Sequence, residues 1–242
     1  MGALPRIREA LSRDAIFAPV RGQTAFEETL ERLGTAIKLG LLAPGTRLPA
    51  ERELCEQLGI ARSTLRQALT VLVDSGQLHA VRGRAGGTFV AQPQPSAAPP
   101  DRALLVGWRE RCDARMAVEL GVAALAAERA QPQAIAALDA LVAMMDACAH
   151  DFPAYRTADV RFHVTLAETT GSPSLVVAMT EAQGAMTDLI AQIAHPPEIL
   201  AWSNAQHARL VGAIAHGAPT AAMRLMSEHL RATEHVLAGL LP

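Results

Sequence analysis

LPAERELCEQLGIARSTLRQALTVLVDSGQL, Leu48 to Leu78, reads as two short amphipathic helices joined by a tight turn at Gly59. In the second segment Leu65, Ala68, Leu69 and Leu72 recur at helical spacing and face a core. Arg62, Ser63 and Arg66 are left on the opposite, solvated face. Arg62 and Arg66 stand one turn apart, so both guanidiniums can enter one groove and meet guanine edges or phosphates. Taken alone, the pair is also what the charged face of any amphipathic helix carries.

The flanks favour the first reading. Upstream, Thr24 and Glu27 form a capping box that opens a helix with Phe26, Leu30, Leu33 and Ile37 on one face, closed by Gly40. Downstream, Leu78 to Val81 and Thr88 to Val90 are β-prone runs around a basic, Gly-rich turn, a hairpin signal. Gly83, Gly86 and Gly87 let the hairpin tip approach a phosphate or a groove, and Arg82 and Arg84 add charge there. Three helices and a basic-tipped hairpin make a winged helix.

Half of the 242 residues are hydrophobic and only 3% aromatic, so a core of Ala, Leu and Val is expected and extensive disorder is excluded. Cys55, Cys112 and Cys148 are widely spaced, which argues for a reducing compartment and against a disulfide framework. Cys55 falls on the apolar side of its helix. Arg6, Arg8, Glu9, Arg13 and Asp14 interrupt any apolar signal sequence, and no later run is long enough to span a membrane. A cytoplasmic location follows as an expectation. The net charge is only -2, but it is unevenly spread. Arg21 to Val90 carries nine basic and seven acidic residues, Arg102 to Pro242 ten and fourteen. So mild a basicity calls for specific contacts and dimeric avidity in any binding to nucleic acid.

Ala91 to Asp101, AQPQPSAAPPD, has linker composition. Beyond it, helical periodicity is broken near Pro132, Pro153, Pro173, Pro196-Pro197 and Pro219, giving about six helices and an antiparallel bundle. Within ADVRFHVTLAETTGS, Asp159 and His163 are four apart and project from one helix face. His207 and His229 lie on two further helices at positions able to point inward. The four could share a metal ion, although a lone Asp-x-x-x-His pair is more often structural. His79, His150, His195 and His216 sit near turns or element ends and are read as solvated, with His235 left open.

LPAERELCEQLGIARSTLRQAL followed by the GRAGGTFV wing closely resembles the DNA-binding domain of GntR-family bacterial transcriptional regulators. The resemblance implies that Arg52, Arg62 and Arg66 contact bases and backbone, that Ser63 and Thr64 bind phosphate, and that Gly83 sits in the wing tip. Ala61 departs from the pattern, because relatives carry Ser or Thr there as a helix cap, worth about 1 kcal/mol. Ser63 could compensate by shifting the helix start.

The later segments resemble the ligand-binding FCD domain of the FadR-type branch. That resemblance implies a divalent ion on Asp159, His163, His207 and His229, with zinc the first candidate and nickel or manganese compatible with the same ligands. It also implies that Arg115, in DARMAVELGVAALAAERA, meets an effector carboxylate, the alternative being an Arg115–Glu119 pair on the helix surface. Ser172 stands where many relatives carry Asn.

The expected fold is mostly α, an N-terminal winged helix-turn-helix followed by an all-α antiparallel bundle. The expected domains are an arm at 1–22, the DNA-binding domain at 23–91, a linker at 92–101 and an effector and metal domain at 102–242. The expected function is that of a homodimeric, sequence-specific regulator, a repressor in its commoner form, which binds a pseudo-palindromic operator and answers to a small carboxylate. A metal-dependent enzyme fused to a DNA-binding module is the alternative from another class, but no separate general base or nucleophile motif supports it. A nonspecific architectural DNA binder fits poorly with the weak basicity and the acidic second half.

Overall fold

A computed structural model describes residues 25–83, 86–92, 106–191 and 197–239. Helix α1 (Ala25–Lys38) carries Glu27 and Glu28 in its first turn and Lys38 in its last, charges that complement the helix dipole. Next come α2 (Glu51–Leu58) and α3 (Arg62–Asp74), joined through Gly59 at φ 65°, the left-handed conformation that ends α2. Strands β1 (Leu78–Val81) and β2 (Gly87–Val90) pair antiparallel, Leu78 opposite Val90 and Val81 opposite Gly87. Arg47 braces this hairpin. Its backbone bridges Phe89, and its Nη2 donates to the Gly86 carbonyl at 2.6 Å.

Leu33, Leu48, Leu54, Leu65, Leu69, Leu72, Leu78 and Val90 form the small core under these elements. The predicted apolar faces therefore turn inward, except that Phe26, at the start of α1, stands outside this core. Cys55 packs against the same core, half-buried. Helix α3 begins at Arg62 with Ala61 as an extended N-cap that offers no side-chain bond. The shift of helix start to Ser63 does not occur, because Arg62 already belongs to the helix. The strand predicted from Thr88 begins one residue earlier, at Gly87.

The second half holds, among the described residues, six helices: α4 (Trp108–Arg129), α5 (Pro132–Ala147), α6 (Phe152–Glu168), α7 (Pro173–Ile190), α8 (Pro197–Ala215) and α9 (Pro219–Gly239). Proline opens or nearly opens five of them, at the position where a missing N–H costs nothing. Asp151 caps α6 by accepting from the Ala154 amide at 3.1 Å. Helix α4 packs along α9 and α7, while α5 packs on α6 and α8. The core between them is Ala, Leu, Val and Met with one fully buried Phe162. No described helix is long and apolar enough to cross a membrane.

The halves touch directly. Leu39 is buried in the core of the helical bundle, and Leu41 packs against it. Helix α1 lies on α7, where a Cβ at Gly184 would come within 2.7 Å of Thr35 Cγ2. Lys38 Nζ donates to Asp188 Oδ2 at 2.5 Å across this contact. The predicted arm at 1–22, the Thr24 cap, Arg84, His195 and linker residues 93–101 lie outside the described residues.

Leu72, 1% exposed, sits at the centre of the winged-helix core. Leu72→Ala is expected to cost about 2–5 kcal/mol of stability, read as a lower urea midpoint. A loss below about 1 kcal/mol would contradict the packing described.

Candidate metal centre and DNA-binding face

One turn of α6 separates Asp159 from His163, while α8 brings His207 and α9 brings His229 to the same point. All four are buried, and their donor atoms lie within 4.8 Å of one another. Asp159 Oδ1 is 3.4 Å from His207 Nε2 and 3.8 Å from His163 Nε2, and His207 Nε2 is 3.3 Å from His229 Nε2. Ligands at about 2.0–2.1 Å around a tetrahedral ion stand about 3.4 Å apart, so these separations suit a shared ion.

Acceptors stand beside Nδ1 of two of the three imidazoles. Glu119 Oε2 lies 2.6 Å from His163 Nδ1, and Gln206 Oε1 lies 3.1 Å from His229 Nδ1. Each acceptor calls for a proton on Nδ1, which leaves the Nε2 lone pair free to ligate. His163 Nε2 is buried without a hydrogen-bond partner. Lone pairs of two imidazoles and a carboxylate oxygen that face one another repel unless a cation or proton stands between them.

The electrostatics agree. Burial pushes the His207 imidazole down to about 4 despite the nearby Asp159 carboxylate. Burial, with His207 and His163 beside it, likewise holds His229 well below its usual range. Both are therefore neutral near pH 7, the form that binds metal. Burial alone would raise the Asp159 carboxyl, but the Arg156 guanidinium beside it outweighs burial and holds it well below the usual carboxylate range. The same holds for Glu119, kept anionic by His163 and Arg115.

A cavity of about 120 Å³ opens beside this cluster, with Arg115, Arg156, Asp159 and His229 in its lining. Arg115 donates from Nε to Glu119 Oε1 at 2.6 Å. The pair is 4% and 0% exposed, so its expected place on the helix surface is corrected: it is buried, because this face of α4 turns toward α6 and α7. Arg156 donates from Nη1 to Asp159 Oδ2 at 2.5 Å and from Nη2 to Gln183 Oε1 at 3.0 Å and Thr187 Oγ1 at 3.2 Å. Ser172 is absent from the cavity lining and serves as the N-cap residue of α7.

On the other half, Arg52, Arg62, Ser63 and Arg66 are exposed and Thr64 half-buried. Glu51 Oε2 brings the two arginines of α3 together, at 3.3 Å from Arg62 Nε and 2.9 Å from Arg66 Nε. Arg52 pairs instead with Glu56, at 2.9 Å. Gly83 lies in the wing turn with φ 108°, a conformation that suits glycine. Its carbonyl accepts from the Gly86 amide at 2.9 Å. His79 is exposed and stacks on Phe89, and His150, His216 and His235 are exposed.

The family model for bacterial regulatory proteins of the gntR family matches residues 26–90, and that for the FCD domain matches residues 110–232. The HTH-type transcriptional regulator RmpR of Mycobacterium gastri is 34% identical over 84% of this chain and 76% of its own length. The chain belongs to the GntR family and carries an FCD domain. An L-lactate dehydrogenase operon regulatory protein of Escherichia coli K12 is 29% identical over 84% of this chain and 83% of its own. Among solved structures, E. coli McbR/YncC shares the fold, with a TM-score of 0.56 at 21% identity over 90% of this chain and 99% of that one. This GntR-family protein is a DNA-binding transcriptional regulator.

In this regulator Arg156, Gln206 and Gln183 escaped sequence reading. Arg156 precedes Asp159 by three residues and Gln206 adjoins His207, but both helices carry several other polar residues, so spacing alone does not single these two out. Gln206→Leu keeps the side-chain volume and removes the acceptor from His229. Metal affinity, measured by competition with a chromophoric chelator, is expected to fall about 10- to 100-fold. Unchanged affinity with intact helical content would remove Gln206 from the centre.

Proposed function

We propose that this GntR-family protein is a homodimeric, cytoplasmic repressor that releases a pseudo-palindromic operator when a small carboxylic acid binds at a metal ion in its helical domain. The observation that carries the reading is a cavity with an Asp and three-His cluster at one end and two arginines in its lining. Asp159, His163, His207 and His229 would hold the ion, zinc before nickel or manganese, and the bound ion would supply open positions for carboxylate and hydroxyl oxygens. A guanidinium that gives its Nε–H to Glu119 still carries four Nη hydrogens, and Arg115 uses them to orient the acid's carboxylate. A relative that regulates an L-lactate dehydrogenase operon fits an organic acid as signal.

Coupling to DNA runs through α7. Arg156 bonds to the ligand Asp159 and to Gln183 and Thr187 of α7, and the adjacent Gly184 and Asp188 face α1. An acid that engages Arg156 and the ion favours one arrangement of α7 and therefore of the winged helix; only such differential binding can shift the equilibrium. On DNA, Arg62 and Arg66 read bases from α3, Arg52, Ser63 and Thr64 hold the backbone, and Gly83 brings the wing to the minor groove.

Two measurements test the reading. Arg62→Ala with Arg66→Ala should weaken binding to an operator selected from random duplexes by about 30-fold or more, while nonspecific binding changes less. Equal retention of operator by the variant would remove α3 as the reading helix. Elemental analysis of tag-free protein should find about one divalent ion per chain, lost in Asp159→Ala. A metal-free protein whose melting temperature no divalent ion raises would overturn the metal centre.

A further inference from the structure

Aromatic residues are scarce in this chain, five Phe, two Trp and one Tyr in 242 residues, yet Phe152, Tyr155 and Trp202 all line the cavity described beside the Asp and His cluster. Ile190, Ile199 and Leu200 complete that apolar wall. The charged groups belong to the other end, where Asp159 and His229 of the cluster sit with Arg115, Arg156 and Gln206, while Ser203 and Thr233 add two hydroxyls to the lining. Tyr155 adds little polarity to its wall, because its hydroxyl donates to the Leu200 carbonyl at 3.2 Å. The lining is thus amphipathic along its length.

Trp202 and Ile199 stand one turn of α8 apart and are 53% and 46% exposed. Most of the protein's bulky apolar side chains are inside, and these two remain in water beside a charged floor. A two- or three-carbon hydroxy acid held by the ion and Arg115 would leave them wet. An apolar cavity of about 150 Å³ holds a benzene ring, and the space here is about 120 Å³ with an open mouth. A ring or short branched chain attached to a bound acid therefore fills the remaining space and stands partly in the mouth, against the exposed Ile199 and Trp202.

We infer that the effector is a carboxylic acid bearing a compact apolar tail, an aryl or branched alkyl group, that covers Phe152, Ile199 and Trp202 while its carboxylate meets the polar end. The inference rests on the carboxylate-sensing reading and narrows it. The tail supplies affinity by leaving water, and the ion and Arg115 supply orientation. Trp202 is then a specificity residue, in contact with the tail alone.

The test compares lactate with 3-phenyllactate, which share a head and differ by one ring, by calorimetry on the full-length metal-loaded protein. The phenyl acid is expected to bind about 10- to 100-fold more tightly. Trp202→Ala should erase most of that ratio while leaving lactate affinity unchanged, and Arg115→Gln should weaken both acids. Equal affinity for the two acids, or a ratio that survives Trp202→Ala, overturns the apolar-tail inference while leaving carboxylate sensing intact. Failure of both acids to bind, or equal binding by Arg115→Gln, overturns the sensing reading itself.

Discussion

Four buried donors aimed at one point are the constraint on which the helical domain depends. Asp159 Oδ1 lies 3.4 Å from His207 Nε2 and 3.8 Å from His163 Nε2, in a core built mostly of Ala, Leu, Val and Met. Carrying charges into such a core is expensive, since buried pairs often stabilise less than apolar residues of the same volume would. The molecule nonetheless buries Arg115 with Glu119 and Arg156 with Asp159, and interlocks them: Glu119 Oε1 accepts from both Arg115 and Gln183, while its Oε2 faces His163. Such a network orients the imidazoles, which a purely apolar bundle could not do.

The same network reaches the DNA-binding half. Helix α7 gives Gln183 and Thr187 to Arg156 on one side, and Gly184 and Asp188 to α1 on the other. The exposed Lys38–Asp188 pair contributes little stability by itself. Its value lies in register, together with Leu39 buried in the core of the bundle. Helix α1 in turn packs on α3, so Arg62 and Arg66 are linked to the Asp159 and His163 helix through three helix contacts, α3 on α1, α1 on α7 and α7 on α6. Two close-packed surfaces of this kind shift between discrete arrangements more readily than they deform.

The sequence made the elements legible where physics is local. Leu65, Ala68, Leu69 and Leu72 announce the inner face of α3 by period alone, and prolines mark the helix starts of the bundle. Asp159 and His163 share a helix face by spacing. What joins them to His207 and His229 is tertiary packing: helical position allowed the four to meet, and the family resemblance is what favoured it. Arg115 and Glu119 were legible as a pair, yet an i,i+4 pair reads the same on a wet face and in a core. Arg156, Gln206 and Trp202 stayed hidden for the same reason: their roles depend on which neighbouring helix they face. Arg47 is a similar case, since its reach to Gly86 exists only once the hairpin has folded. Ala61 shows the converse, a missing cap that packing of α3 tolerates without moving the helix start.

The central claim is that these four side chains hold one ion from within the bundle. X-ray absorption at the metal edge of the loaded, full-length protein tests it most directly. The account predicts about three imidazole nitrogens and one carboxylate oxygen in the first shell at about 2.0–2.2 Å, with any further ligands being light oxygen atoms. A shell containing sulfur, or one with a single imidazole and otherwise water, would contradict it.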